Sequence, residues 1–185
     1  MKVESGKLKG ERETMAVVLR KIEPTDVPYL YQWENDASVW SEGANHNPLS
    51  HQDLRDYVAQ TTGDIYRDGQ LRLVIAMRNT SGQPEDGACT IGCADLFDLD
   101  ARNRRAAIGL YIAPEYRGKG YAADVLSQLE QYAFGFLHLR VLYAVISTKN
   151  TACNTLFEKS GYTPSTPLKN WTLEGDAVIW IKAKE

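Results

Sequence analysis

Six consecutive residues, Arg117-Gly118-Lys119-Gly120-Tyr121-Ala122, combine types and spacing suited to gripping a phosphate group. Gly118 and Gly120 stand directly before a strongly periodic apolar run, and a residue without Cβ lets an anion approach the backbone amides. The first N–H groups of a helix have no intrahelical partner and the helix dipole is positive there, so a helix opening at Tyr121 offers an anion site. Arg117 and Lys119 add two cationic side chains at the same place, and a diphosphate is the natural guest. Upstream, Tyr29, Trp33, Glu34, Asp36, Trp40 and Glu42 mix aromatic faces with carboxylates, a set able to hold a cationic amine. The same residues read equally well as an ordinary amphipathic helix with solvated acids.

Other phosphate chemistries fail on context. Gly118-Lys119-Gly120-Tyr121-Ala122-Ala123 matches G-x-G-x-x-A, but a dinucleotide fingerprint sits at a strand end with an acidic residue about 20 positions later at the end of the next strand. Here Pro114 to Arg117 intervene, and the next strand ends in Ser147-Thr148-Lys149-Asn150. No G-x-x-x-x-G-K-[ST] occurs, which excludes a P-loop nucleotidase. Cys89, Cys93 and Cys153 have neither metal-ligand nor CxxC spacing, His46, His51 and His138 are scattered, and no metal site is expected. Cys89 and Cys93, four apart in an expected strand, read as small apolar residues buried on one face.

These residues need a scaffold, and 185 of them with 43% hydrophobic and 24% charged side chains suit one soluble domain. A formal net charge of -3 argues against a duplex nucleic-acid partner, whose phosphates want a basic face. No apolar run is long enough to span a bilayer, so a cytoplasmic protein without a membrane partner is expected. Residues 1–14 are rich in Lys, Glu and Gly and read as a flexible tail before a domain over residues 15–185.

Within that domain, β-branched residues predict a strand over Met15–Ile22, and Thr25 is the expected N-cap of a helix reaching Asn35. The residues from Trp40 to Pro48 read as a loop, and Ser50 with Asp53 predicts a capped second helix. Strands are expected over Leu71–Met77, Ala88–Asp98 and Arg104–Ile112, with a polar connection over 79–87, forming an antiparallel meander. Ala122, Val125, Leu126, Leu129, Tyr132, Ala133 and Phe136 then follow helical spacing. A strand over Leu139–Ile146 closes a parallel crossover, Asn150 caps a helix to Lys159, and strands near Leu168–Leu173 and Ala177–Ile181 form a closing hairpin. The predicted class is α/β (α+β): a mixed, mostly antiparallel seven-stranded sheet with helices on both faces.

The run Ile108-Gly109-Leu110-Tyr111-Ile112 followed by Pro114 to Ala122 resembles motif A of the GNAT acetyltransferase superfamily, R/Q-x-x-G-x-G/A. Asn150 and the stretch Asn154 to Tyr162 resemble its motif B, a helix followed by a Gly-aromatic pair. The similarity covers about residues 16–182. Leu19 to Asp26, Arg104-Arg105-Ala106 and Pro114 to Ala122 look most like the bacterial spermidine N-acetyltransferases and the ribosomal-protein alanine N-acetyltransferases. The resemblance implies acetyl transfer from acetyl-CoA, as co-substrate, to a primary amine. The acceptor would be a polyamine or small diamine first, a protein N-terminus second, and a homo-oligomer is compatible with it. It also implies that Leu110, Tyr111 and Ile112 hold the pantetheine arm through their backbone. Arg117, Gly118, Lys119, Gly120, Tyr121 and Ala122 would hold the pyrophosphate and Asn150 the arm's amides, with Asn154 and Phe157 beside the coenzyme. Trp33, Glu34 and Trp40 are the candidate acceptor residues.

Two of the family's residues are missing. The polyamine enzymes carry a glutamate one residue after Arg-Arg-Ala, where this chain has Ala107, and a tyrosine as proton donor to the thiolate, where it has Phe157. A thiol leaves tolerably without an acid, since its pKa is near 8.5. An amine with pKa near 10.4 needs a base more. Asp95, in the neighbouring strand, or a water is expected in that part, and Tyr162 is the first candidate donor, ahead of Tyr143 and Cys153. The two losses also fit a different class, an acyl-CoA-binding regulatory protein without catalysis.

Overall fold

The computed structural model describes residues 17–37, 40, 47–77 and 89–184. The expected tail, Met15 and Ala16, Glu42, His46 and the 79–87 connection lie outside them. Strand β1 (Val17–Lys21) pairs antiparallel with β2 (Leu71–Met77), β2 with β3 (Thr90–Asp100), and β3 with β4 (Arg105–Ile112). β5 (Val141–Ser147) lies parallel to β4, and the hairpin of β6 (Thr163–Thr172) and β7 (Gly175–Ala183) completes the order β1-β2-β3-β4-β5-β7-β6. This is the mixed, mostly antiparallel seven-stranded sheet the sequence predicts. β6 begins earlier than its composition suggests because it is an edge strand, where Pro164 and Pro167 need give no ladder hydrogen bond; the register shifts between them.

Helix α1 (Val27–Glu34) follows a 3-10 turn over Pro24–Asp26 whose capping residue is Glu23, not Thr25. The reason is Asp26: its carboxylate accepts from the Glu23 amide at 2.8 Å and from both Arg20 nitrogens at 2.7 Å, fixing where the chain turns. Helix α2 (His51–Gln60) opens on the expected Ser50/Asp53 capping box. Ile65–Asp68 winds one helical turn, α3, between the Asp64 cap and Gly69 at φ +73°. α4 (Tyr121–Glu130) continues into a π-helical segment over Gln131–Phe136, and α5 (Thr151–Lys159) is capped by Asn150.

Strand alternation sorts the core into two layers. On one face Ile75, Ala94, Leu96, Ile108, Leu142, Ala144 and Trp180 pack with Val125, Leu126 and Leu129 of α4 and Phe157 of α5. On the other, Val74, Cys93 and Ala113 meet Val27, Leu30 and Trp33 of α1 and Leu54 and Val58 of α2. The expectation that Cys89 and Cys93 share a buried face is corrected. β3 starts at Thr90 and its ladder slips between Ile75 and Ala76, leaving Cys89 exposed with its sulfur 2.7 Å from the Tyr116 hydroxyl, while Cys93 is buried.

Candidate active site

The two halves of the sheet part in the middle. β4 pairs with β5 only over Arg105–Ala107 against Val141–Tyr143, so beyond Ala107 the β5-facing edge of β4 has no neighbouring strand among the described residues. Because β4 and β5 are parallel, the helices that follow them both begin at the same end of this opening. The loop before α4 and the Asn150 cap of α5 are therefore brought together with Leu110, Tyr111 and Ile112 by topology alone.

The 117–122 loop has the geometry an anion site requires. Gly118 and Gly120 adopt φ +75° and +85°, a region L-residues enter at a cost of about 1 kcal/mol or more, and among the described residues no atom beyond their chain neighbours lies within 4 Å of where their Cβ would stand. Both glycines are thus favoured by conformation, not by crowding. Among the described residues no side chain caps α4; the Ala123 amide donates to the Gly120 carbonyl at 3.1 Å, and the amides before it face the loop. Arg117 braces the loop, its Nε donating to the Ile112 carbonyl at 2.8 Å while the guanidinium stands 5.7 Å from the Tyr111 ring centre. Burial lifts the Tyr111 hydroxyl pKa, and the Arg117 charge opposes the shift. Lys119 lies over Tyr116 at 5.2 Å.

Of the other candidates for coenzyme contact, Asn150 accepts from the Cys153 amide at 3.0 Å as the α5 cap. Asn154 is used internally: its amide donates to the carbonyls of Ser147 and Asn150 at 2.9 and 2.8 Å, and its oxygen accepts from the Trp180 indole at 2.8 Å. That commits both amide protons to β5 and the α5 cap, and the oxygen to β7. Phe157 is buried edge-on against Tyr162, with ring centres 4.7 Å apart.

On the opposite face, under α1 and α2, sits a charged cluster. Arg72 of β2 donates from Nε to Asp95 at 2.7 Å and from Nη1 to Glu34 at 2.5 Å, and lies 5.9 Å from the Tyr57 ring centre. Trp40 donates its indole N–H to the Glu34 carbonyl at 2.8 Å, while Trp33 is a core residue between Tyr29 and Tyr111. Asp95 stands opposite Gly109, one alternation beyond Ala107 and beside the opening. A Cβ on Gly109 would come within 3.5 Å of Asp95 Oδ2, so the missing side chain leaves space over the carboxylate. Burial lifts the Asp95 pKa above the ordinary carboxylate range; Arg72 pulls it back and Glu34 adds to the rise. Such a carboxylate is a better proton acceptor than a solvated one.

Tyr162, the other candidate for catalysis, lies on the far side of the sheet from Asp95. Its side chain is buried in the α4 layer near Glu130 and Lys182, the ammonium of Lys182 5.4 Å from its ring. Burial, then Glu130, pushes its pKa far up. The electrostatic pull of Glu130 does not amount to a hydrogen bond, since among the described residues the hydroxyl has no partner at bonding distance. The sequence reading overlooked Arg72 and Tyr57. The available signal was a charge at position 72 inside the apolar run Leu71–Met77, on the layer that also buries Val74.

A family model described as Acetyltransferase (GNAT) domain matches residues 16–163. The chain belongs to the GNAT acetyltransferase family. It is an acetyl-CoA-dependent N-acetyltransferase. The chain is 29% identical to spermidine N(1)-acetyltransferase of Escherichia coli over 150 residues, covering 80% of this chain and 73% of that protein. It is 30% identical over 152 residues to the uncharacterized N-acetyltransferase YoaA of Bacillus subtilis, covering 81% of each. The crystal structure of a Vibrio cholerae spermidine N-acetyltransferase in complex with CoA and spermine superposes with a TM-score of 0.76 at 20% identity, over 91% of this chain and 95% of that one. Among the described residues no helix is long and apolar enough to cross a membrane, and no group of three His, Cys, Asp or Glu is placed to hold a metal.

Proposed function

We propose that this GNAT enzyme acetylates a primary amine of a polyamine or small diamine, with Asp95 as the proton acceptor. The observation that carries the reading is the Asp95 carboxylate over the space left by Gly109, at the point where β4 loses its β5 partner and on the layer lined by Glu34 and Trp40. The relatives named for spermidine acetylation support the same acceptor class.

In this reading the amides of Gly118 to Ala122, with Arg117 and Lys119, hold the pyrophosphate of acetyl-CoA, and the free edge of Leu110 to Ile112 receives the pantetheine arm. An alkylammonium docks against Asp95 and Glu34. Asp95, raised by burial, takes one proton, and the neutral nitrogen attacks the thioester carbonyl. A C–N bond forms and the C–S bond breaks. As the adduct collapses, the nitrogen gives up its second proton to water, and the thiolate takes a proton back from water, since Phe157 has none to give. Arg72 keeps Asp95 aimed and limits how far its pKa rises.

Free thiol release from acetyl-CoA tests the proposal across triamines, diamines, peptides with free N-termini and aminoglycosides. Di- and triamines should give the highest kcat/KM. Turnover confined to N-terminal peptides would replace the acceptor assignment with protein acetylation.

A further inference from the structure

One strained residue on the acceptor layer is not used by the reaction as described. Asp98 lies near the end of β3 at φ +49°, a left-handed conformation uncommon outside glycine although Asp and Asn tolerate it best. Regular alternation would place its side chain with Leu96, in the α4 layer. The left-handed turn instead carries it to the other face, where its Oδ2 accepts from the Tyr143 hydroxyl. Tyr143 stands on β5 directly opposite Ala107, and Ala107 is opposite Phe97 of β3. Phe97 is 39% exposed and its ring leans towards Gly109, since a Cβ there would lie 3.4 Å from its Cε1. Phe97 and Tyr143 therefore flank a small residue, with Asp95 beyond one end of the stretch and Asp98 at the other. Arg105, the cation adjacent on β4, is engaged by Asp100 at 3.2 Å, and Asp98 itself is exposed.

The geometry points to Asp98, held by Tyr143, as a specificity determinant that binds the far ammonium of an acceptor whose near amine reacts at Asp95. The inference rests on the amine acceptor proposed above and names the feature by which the site would measure length. Three residues of extended chain separate the two carboxylates by roughly 10 Å. An extended alkyl chain advances about 1.25 Å per bond, so nitrogens about eight bonds apart reach both ends. The aromatic rings of Phe97 and Tyr143 line the methylene path, and an ammonium at Asp98 would also lie beside the Tyr143 ring, a favourable place for a cation. Tyr143 steers Asp98 without touching the reacting atoms.

The test compares kcat/KM for heptane-1,7-diamine and heptylamine, which differ only in the second charge. The wild type should prefer the diamine by tenfold or more, the size of one hydrogen bond to a charged group. Asp98→Asn keeps a residue that tolerates the left-handed turn while removing the charge, and should cut the diamine-to-monoamine ratio about tenfold, mainly through KM. Tyr143→Phe should shift the ratio in the same direction by less. Equal rates on both amines in the wild type, or an unchanged ratio in Asp98→Asn, overturns the subsite while leaving the acceptor class intact. Turnover of neither amine alongside turnover of N-terminal peptides rejects the acceptor class, and the subsite falls with it.

Discussion

Replacing Asp95 with Asn removes the proposed base with little change in shape. An amine of pKa near 10.4 is neutral only about once in 10³ molecules near pH 7.4, and a positioned base typically contributes 10²–10⁴ in rate. The expected loss in kcat/KM at neutral pH is therefore about 10²–10³. Stability should change much less. Asn keeps an oxygen for the Arg72 Nε that now donates at 2.7 Å, and Arg72 retains Glu34 at 2.5 Å, so a loss of about 1 kcal/mol, or a few degrees in Tm, is expected. The pH dependence discriminates further. Because burial raises the Asp95 pKa in the folded state, the acid limb of the wild-type kcat/KM profile should lie above the ordinary carboxylate range, and Asp95→Asn should lack that limb. For stability the raised value has a fixed sign. The group's contribution is fully present below the unfolded pKa near 3.9 and is lost as pH rises through the folded value, so any Tm advantage of wild type over Asp95→Asn is largest in acid. Steady-state thiol release from pH 5 to 9, with thermal melts over the same range, measures both. A variant with wild-type kcat/KM, or a slowed one that keeps the same acid limb, refutes Asp95 as the base.

Three further outcomes are expected. Gly120→Ala forces a Cβ into φ +85° with nothing nearby to clash, so it should cost about 1–2 kcal/mol in stability and weaken CoA binding by calorimetry. Gly109→Val fills the space between Asp95 and Phe97, and should lower acceptor kcat/KM by a hundredfold or more while CoA affinity moves little; a normal rate would show that the acceptor does not pass there. Asp26→Ala strands Arg20 and the Glu23 amide beneath α1, and should cost about 3–5 kcal/mol, read as a denaturation midpoint well below wild type.

Much of the local structure proposed to hold the donor was legible because it depends on local rules. Gly118 and Gly120 advertise a helix start, Asn150 and Ser50 advertise caps, and periodicity separates the long helix from the strands around it. The acceptor half depends on register, which local sequence does not state. Nothing near position 72 shows that Arg72 will join Glu34 and Asp95, three residues from three elements, because that contact needs β2 paired with β3 and α1 laid across them. The slip between Ile75 and Ala76, which exposes Cys89, is likewise a property of the pair of strands. Tyr162 has the residue type for a proton donor, but the turn after α5 delivers it beneath the sheet, where burial makes its proton hard to release.

The short seam between β4 and β5 bears on how long the protein lasts. Among the described residues, three pairs join the half-sheet β1 to β4 to the half-sheet of β5, β7 and β6, and the backbone beyond Ala107 on that edge has no strand to bond with. A ligand laid along the edge would take the place of the absent strand, and would do so only in the folded chain. By mass action, coenzyme at a hundred times its dissociation constant adds about 2.7 kcal/mol to stability. The supply of the donor would then govern the folded lifetime of the enzyme as well as its rate.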